Sequence, residues 1–161
     1  MNDTLNNAKK ITFKYYSDVL EEDVVETMWA EELDSDEGIF RLQSIPFYGP
    51  LIAPGDIFHA EYDADSEELV FTEVVESSGN SVVQIIMMND NYDKEKLREE
   101  LKALGCESEG LNDNFFVVEI PESINYLTIK ENLDIKENEE LISYAEPVLS
   151  VKHQDDISIE N

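Results

Sequence analysis

Apolar and polar residues alternate along the first half of the chain with the two-residue period of β-strands. Ile11, Phe13 and Tyr15 place apolar side chains on one face, with Thr12 and Lys14 between them, which predicts a strand with one buried face. Similar segments recur up to residue 75. The five predicted strands are residues 11–16, 24–33, 39–44, 57–62 and 69–75. Five short strands at this spacing predict a small antiparallel β-barrel-like sheet.

Three short segments between these strands have the composition of turns. Residues 34–38 read Asp-Ser-Asp-Glu-Gly, and residues 54–56 read Pro-Gly-Asp. Asp and Ser side chains bond to their own backbone in turns, and Gly accepts a positive φ. Residues 63–68 form a third, strongly acidic connection. Two of the predicted hairpins therefore end in acidic tips.

The hydrophobic period changes after residue 81. Residues 82–88 form one apolar run of strand length, and residues 93–104 carry leucines at the spacing of an amphipathic helix. The other predicted elements are a hairpin at 106–109 and 115–120, a helix from Pro121 and Ser123 through Leu133, and a strand at 141–147. The order β-α-β-β-α-β is that of the ferredoxin-like split unit.

The predicted fold class is therefore α+β, with three regions along the chain. An antiparallel β subdomain occupies residues 1–78, and a ferredoxin-like α+β subdomain occupies residues 79–150. Residues 151–161 are predicted to be a flexible acidic tail that contains His153.

The net charge of −27 is distributed over both halves of the chain. From Tyr15 to Asp93 there are twenty acidic residues and one base, Arg41. Aromatic residues such as Phe40 and Phe58 lie among these carboxylates, so the charge is expected to cover a folded surface. Such a surface attracts basic proteins and repels nucleic acid.

Nucleic-acid binding is not expected, because it requires clustered bases that neutralise phosphates. Four bases share the predicted helix at 93–104, but glutamates alternate with them, as on an ordinary surface helix. The single cysteine cannot form an internal disulfide, and no signal peptide or membrane-spanning run is seen. We therefore expect a cytoplasmic protein that binds neither nucleic acid nor membrane.

Several short sequence pieces between Ile11 and Pro147 resemble an uncharacterised bacterial family, the domain of unknown function DUF4265. The pieces are Glu26 to Glu31, Ser44 to Gly49, Gly55-Asp56, Ser78-Gly79 within the loop Val75 to Ser81, and the helix end Leu101 to Gly105. None of them carries known chemistry, so this resemblance implies no activity. The size and charge of the chain are also similar to those of immunity proteins of contact-dependent and polymorphic toxin systems.

No motif for catalysis or metal binding stands out. The turn at 34–38 has its Gly one position too early for a calcium loop, and the loop at 63–68 lacks the Gly. The histidines His59 and His153 have no catalytic partner in the sequence, and Cys106 is interpreted as a small buried hydrophobe. We therefore predict no enzyme activity, no cofactor and no metal.

Two aromatic residues allow more than one interpretation. Phe47 and Tyr48 lie between Pro46 and Gly49, and their rings are predicted either to plug the barrel or, in the less favoured alternative, to form an exposed anchor for a partner. Trp29 is predicted to be in the core.

The main functional hypothesis is an immunity protein that covers the active site or substrate groove of a basic toxin, such as a nuclease, with an acidic surface. The predicted contact residues are the acids of two hairpins and one aromatic residue: Glu31, Glu32, Asp34, Asp36, Glu37, Tyr48, Asp63, Asp65, Glu67 and Glu68. The alternative hypothesis is a regulatory or ligand-sensing α+β module without catalytic activity. That alternative assigns no role to the acidic surface.

Overall fold

The structure is a computed structural model that describes residues 8–17, 21–48 and 51–158. The chain divides into two compact units, Met1–Ser78 and Gly79–Asn161. The boundary falls in the loop at which the hydrophobic period of the sequence changes. The architecture is α+β, and each unit has its own sheet.

The first unit is a closed five-stranded barrel with the strand order β1-β2-β3-β4-β5. Its strands are β1 (Ala8–Ser17), β2 (Glu22–Asp34), β3 (Ile39–Leu42), β4 (Ile57–Asp63) and β5 (Glu68–Glu76). The predicted barrel-like sheet is thus present, but it is only mostly antiparallel. The seam between β1 and β5 is parallel and joins Ile11 to Leu69 and Thr12 to Val70. A five-stranded sheet closed on itself brings its first and last strands together in the same direction.

Aromatic rings fill the barrel interior. Phe13, Phe40, Phe58 and Phe71 stack on or tilt against one another, with ring centroids 5.0 to 5.8 Å apart. The turn after β2 must pass close to β4, and Gly38 permits this approach. Its φ is +69°, and a Cβ there would lie 2.6 Å from the carbonyl oxygen of Ala60.

The prediction that Trp29 belongs to the core is wrong. Met28 and Ala30 point into the barrel and are buried, whereas Trp29 is 51% exposed. Successive side chains of a strand point to opposite faces, so only one residue of each neighbouring pair can face the interior. Both faces of this stretch of β2 carry apolar side chains, and the face with Met28 and Ala30 is the one that lies inside the barrel.

The second unit contains a four-stranded antiparallel sheet with the strand order β7-β8-β6-β9. Its strands are β6 (Ser81–Met87), β7 (Glu107–Asn112), β8 (Phe115–Ile120) and β9 (Ile142–Val148). The helices are α1 (Lys94–Ala103), α2 (Tyr126–Asn138) and α3 (Val151–Ser158). The helix predicted from Pro121 begins later, because Asn125 is its N-cap and accepts a hydrogen bond from the backbone N–H of Leu127.

The core of this unit lies between the sheet and the helices. Both helices contribute buried leucine and isoleucine side chains to one cluster with the sheet: Leu97 and Leu101 of α1, and Ile129 and Leu133 of α2. Cys106 is buried in the same cluster, as predicted. The buried sheet residues of this cluster are Val83, Ile85, Phe116, Val118, Ile120 and Ile142.

The prediction of a flexible tail is wrong for residues 151–158, which form α3. His153 of this helix is completely buried. Ser150 begins the helix, because its hydroxyl accepts a hydrogen bond from the backbone N–H of His153. The last three residues of the predicted tail, 159–161, lie outside the described residues.

Candidate functional site

The two acidic turns of the barrel lie at the same end. Each of the strands β2, β3, β4 and β5 runs antiparallel to the one before it. The β2–β3 and β4–β5 connections therefore share one end of the barrel, and the β3–β4 connection lies at the other. We call the turns at 34–38 and 63–68 together the acidic end.

The turn at 34–38 is held by its own first carboxylate. Asp34 Oδ1 accepts hydrogen bonds from the backbone N–H groups of Asp36, at 3.0 Å, and Glu37, at 3.1 Å. This geometry is that of an Asx turn. Asp34 thus shapes the turn, whereas the side chains of Asp36 and Glu37 are exposed.

The turn at 63–68 is built in the same way. Asp63 Oδ1 accepts from the backbone N–H of Asp65 at 2.9 Å, and the Asp63 carbonyl accepts from the N–H of Glu67 at 2.7 Å. The hydrogen bond from Asp65 lowers the pKa of the Asp63 carboxyl. Glu67 has φ +57°, and its side chain is exposed, as is that of Asp65. Each turn therefore uses one aspartate internally and presents further carboxylates to solvent.

Of the remaining predicted acids, Glu31 and Glu68 have side-chain partners. Glu31 forms an ion pair with Arg41 at 3.0 Å on the outer wall of the barrel. Glu68 accepts a hydrogen bond from the hydroxyl of Thr12 at 3.1 Å. Glu32 pairs with Phe40 across the β2–β3 ladder and is half-buried.

Tyr48 does not join this group, because it belongs to the β3–β4 connection at the opposite end of the barrel. Tyr48 and Phe47 are each half-buried. Their segment is bound to the barrel through Glu26, whose Oε2 accepts from the backbone N–H of Phe47 at 2.7 Å. Glu26 Oε1 accepts from the hydroxyl of Tyr15 at 2.9 Å, and the pKa of Tyr15 is raised by burial and then by the Glu26 charge.

A second carboxylate of the barrel has a structural role that the sequence analysis missed. Asp56 is buried, and its carboxylate accepts from the backbone N–H groups of Ala53, at 2.9 Å, and Ser78, at 2.8 Å. The hydroxyl of Ser78 lies 2.9 Å from Asp56 Oδ1. The signal in the sequence was Gly55-Asp56 together with Ser78-Gly79, because a short acid after a turn glycine often binds backbone groups.

The outer wall around Trp29 has a different character from the acidic end. Lys10 lies over the indole ring, with 5.6 Å between its Nζ and the ring centroid. Val25 is exposed on the same side of β2, and Lys14 pairs with it from β1. This surface combines apolar groups with bases.

A polar network in the second unit lies around Lys130, and a serine–histidine pair lies elsewhere in the same unit. Lys130 lies 3.2 Å from Glu146 Oε2 and donates to the hydroxyl of Tyr144 at 3.0 Å. Partial burial lowers the pKa of Lys130, but these hydrogen bonds outweigh burial and raise it. The hydroxyl of Tyr126 donates to the same Glu146, and that of Tyr144 donates to Asp134.

The serine–histidine pair joins Ser81 Oγ to His153 Nδ1 at 2.6 Å. Both residues are 0% exposed, so no substrate reaches the hydroxyl in this conformation. Burial also raises the pKa of the Cys106 thiol to about 12, which keeps it protonated at neutral pH. These groups are therefore part of the packing of the second unit.

Over residues 8–17, 21–48 and 51–158, no group of three or more His, Cys, Asp or Glu side chains is arranged to hold a metal ion. None of the helices in this part of the chain has the length and apolar composition that are needed to cross a bilayer.

Residues 26–144 match the family described as "Domain of unknown function (DUF4265)". The chain is also similar to a solved crystal structure of a hypothetical protein from Neisseria gonorrhoeae. The two are 25% identical and superpose with a TM-score of 0.75 over 88% of this chain and 95% of the other. No curated protein matches the chain.

Proposed function

Since the chain belongs to the DUF4265 family, whose description assigns no activity, we propose a function from its surface: it is an immunity protein that binds and neutralises a basic toxin, such as a nuclease, through the acidic end. It acts by binding alone, without catalysis, cofactor or nucleic acid, and its place of action is the cytoplasm.

The observation that carries the proposal is the convergence of two pre-shaped acidic turns at one end of a closed barrel. Asp34 and Asp63 fix the turn backbones by hydrogen bonds. The exposed carboxylates of the same turns therefore need little ordering when a partner binds. A nuclease binds phosphate groups through basic side chains. An array of carboxylates can bind the same basic surface and so block it.

Charge also favours fast capture. A net charge of −27 attracts a basic partner over a distance comparable to the Debye length, and association rates rise accordingly at low salt. Rapid association suits an inhibitor whose target is harmful until it is bound.

The test is co-expression and binding kinetics with the product of the reading frame beside the gene of this chain, which the proposal expects to carry a basic toxin domain. The acidic-end variant keeps Asp34 and Asp63 and neutralises the four exposed acids: Asp36→Asn, Glu37→Gln, Asp65→Asn and Glu67→Asn. The control variant removes the same charge from exposed positions of the second unit: Glu109→Gln, Glu131→Gln, Glu139→Gln and Asp155→Asn.

We expect the acidic-end variant to lose protection and to associate about tenfold more slowly at low salt, while the control changes the rate about twofold or less. At high salt the difference between the variants should shrink. Equal association by both variants would show that overall charge, and not the acidic end, governs capture. Absence of binding by the unmodified chain would reject the immunity function.

The alternative function rests on the second unit. We propose that its helices and its sheet, in the order β7-β8-β6-β9, form a ferredoxin-like arrangement that serves as a regulatory or ligand-sensing module. The antiparallel pairing of β6 with both β8 and β9 supports this arrangement. An experimental structure with another connection of these strands would contradict it.

A further inference from the structure

His153 is the buried residue of α3, and both of its ring nitrogens have partners. Nε2 lies 3.0 Å from the carbonyl oxygen of Pro121. A carbonyl only accepts, so Nε2 carries the hydrogen. In the neutral ring Nδ1 then accepts from the hydroxyl of Ser81 at 2.6 Å, and Ser81 Oγ itself accepts from the backbone N–H of Ser150 at 2.9 Å. This chain of hydrogen bonds is complete with a neutral imidazole.

Two further side chains of α3 bind the connection between β8 and α2. Lys152 Nζ donates to the carbonyl oxygen of Ile124 at 2.9 Å. Asp156 Oδ2 accepts from the backbone N–H of Tyr126 at 2.9 Å, and Lys152 and Asp156 form an ion pair at 2.9 Å. The helix is thus attached by polar contacts on one side, with His153 at their centre.

We propose that α3 is a pH-sensitive latch: protonation of His153 at Nδ1 reverses its hydrogen bond with Ser81, leaves the hydroxyl hydrogen of Ser81 without an acceptor, and releases the helix from β6 and the β8–α2 connection. This device is separate from the acidic end, because all of its residues lie in the second unit.

Protonation is unfavourable in the docked state for two reasons. An imidazolium has two N–H donors and no acceptor, so the Ser81 hydrogen would lose its partner at a site that is 0% exposed. The new charge would also be buried. The neighbouring carboxylate of Asp156 is already paired with Lys152, so it offers little compensation.

Among the described residues, the groups that face His153 from the other elements are a tyrosine ring, a serine hydroxyl and backbone carbonyls. From α2, the ring of Tyr126 lies with its centroid 5.7 Å from that of the imidazole, and its hydroxyl donates to Glu146 of β9. From β6 comes Ser81, and from the β8–α2 connection come backbone carbonyls. Burial has the largest effect on the pKa of His153 and lowers it; the hydrogen bond to the Pro121 carbonyl raises it, and on α3 itself Lys152 lowers it and Asp156 raises it.

The direction of the pH effect follows from this lowered pKa. The unfolded or undocked histidine takes up its proton near its ordinary pKa of 6.5, whereas the docked histidine resists protonation. The latch is therefore fully stable above pH 6.5, and its stability is lost as the pH falls toward the lowered value.

The experiment is NMR of the full chain at pH 7.5 and pH 5.0, combined with amide hydrogen exchange corrected for intrinsic rates. At pH 7.5 we expect the Nε2–H tautomer of His153. On moving to pH 5.0, the protection of amides in α3 should fall about tenfold or more, whereas barrel amides keep theirs. His59→Gln, which removes the other histidine of the chain, should leave this behaviour unchanged.

Two variants of the latch complete the test. His153→Gln should remove the pH dependence of α3 protection between pH 7.5 and 5.0. Ser81→Ala removes the donor to neutral Nδ1, so release should occur at a higher pH. Equal protection of α3 at both pH values in the unmodified chain, or an unchanged release pH in Ser81→Ala, would overturn the proposal even if His153→Gln failed to fold.

Discussion

The two units carry similar excess charge but use their carboxylates differently. The excess is −15 through Asn80 and −12 after it. Among the described residues of the second unit, five ion pairs join bases to acids, whereas the described barrel has one, Arg41 with Glu31. Other barrel carboxylates instead accept hydrogen bonds from backbone N–H groups, as Asp56 does, or from hydroxyls, as Glu68 does, or are exposed, as Asp36 is.

This difference separates structural acids from acids that are available for binding. Glu26 and Asp56 have backbone N–H groups as partners and hold connections of the barrel in place. Asp36 and Glu37 project from a turn that another aspartate stabilises. A count of acidic residues cannot distinguish these roles, because the hydrogen-bond partners decide them.

The largest effect is expected from the aromatic core of the barrel. Phe58→Ala removes a ring that is 0% exposed and contacts Phe13, Phe40 and Phe71, so it should lower the free energy of unfolding by about 3–5 kcal/mol. Tyr62→Ala on the same strand, where the side chain is 63% exposed, should cost less than about 1 kcal/mol. Urea unfolding followed by the fluorescence of Trp29, the single tryptophan, measures the barrel. Equal losses would contradict this assignment of the core.

The next largest effect tests the distinction between the acids of the barrel. Asp56→Ala removes the acceptor of the buried N–H of Ala53 and of the partly buried N–H of Ser78 and should cost about 2–3 kcal/mol. Asp36→Ala, at an exposed position of the acidic end, should change the stability by less than about 0.5 kcal/mol. The same fluorescence assay applies. A similar cost at both positions would mean that the exposed acids are also structural.

A smaller effect is expected from the ion pairs of the two units. Lys130→Met removes a partner of Glu146 and Tyr144 at a site where the charged side chains are 29% and 25% exposed, and it should cost about 1–2 kcal/mol. Arg41→Gln breaks a pair whose side chains are 45% and 31% exposed and should cost less than about 1 kcal/mol. Thermal unfolding by circular dichroism compares them. A larger loss for Arg41→Gln would reverse the comparison.

The smallest effect concerns pH and Glu119 in the sheet of the second unit. Burial, and then the charge of Glu107, raise the pKa of Glu119 above its ordinary 4.5. The folded state therefore holds this proton where the unfolded state has released it, and stability falls as the pH rises from 4.5 through the raised value. Glu119→Gln should lessen this decline. The melting temperature of the variant minus that of the unmodified chain should therefore be larger at pH 7 than at pH 4.5. Glu109→Gln, at an exposed position, serves as the control, and the same trend in both variants would reject a specific role for Glu119.

Most strands and both long helices could be predicted, because their apolar periods are clear. Residues 115–120 were predicted as a strand with the bounds that the structure gives. The helix α3 was missed because its apolar residues are few and its buried member is a histidine. The signal that could have revealed it is Ser150, a typical N-cap residue before a polar segment.

Only part of the candidate site could be predicted from the sequence. Local composition identified the turns at 34–38 and 63–68, since Asp and Gly determine turn geometry through bonds to the nearby backbone. Their presence at one end of the barrel could be inferred only after the strand pairing was known. Tyr48 was grouped with these acids from the sequence, but the β3–β4 connection lies at the opposite end.

The sequence by itself determined the period of each long element, the positions of the turns and the size of the negative charge, because these depend on neighbours along the chain. The tertiary structure decided which face of β2 is buried, so that Trp29 lies outside. It also decided which acids have backbone partners and that His153 is enclosed with Ser81. These properties depend on groups that are distant in the sequence, and only closure of the barrel and packing of the helices on the sheet bring those groups together.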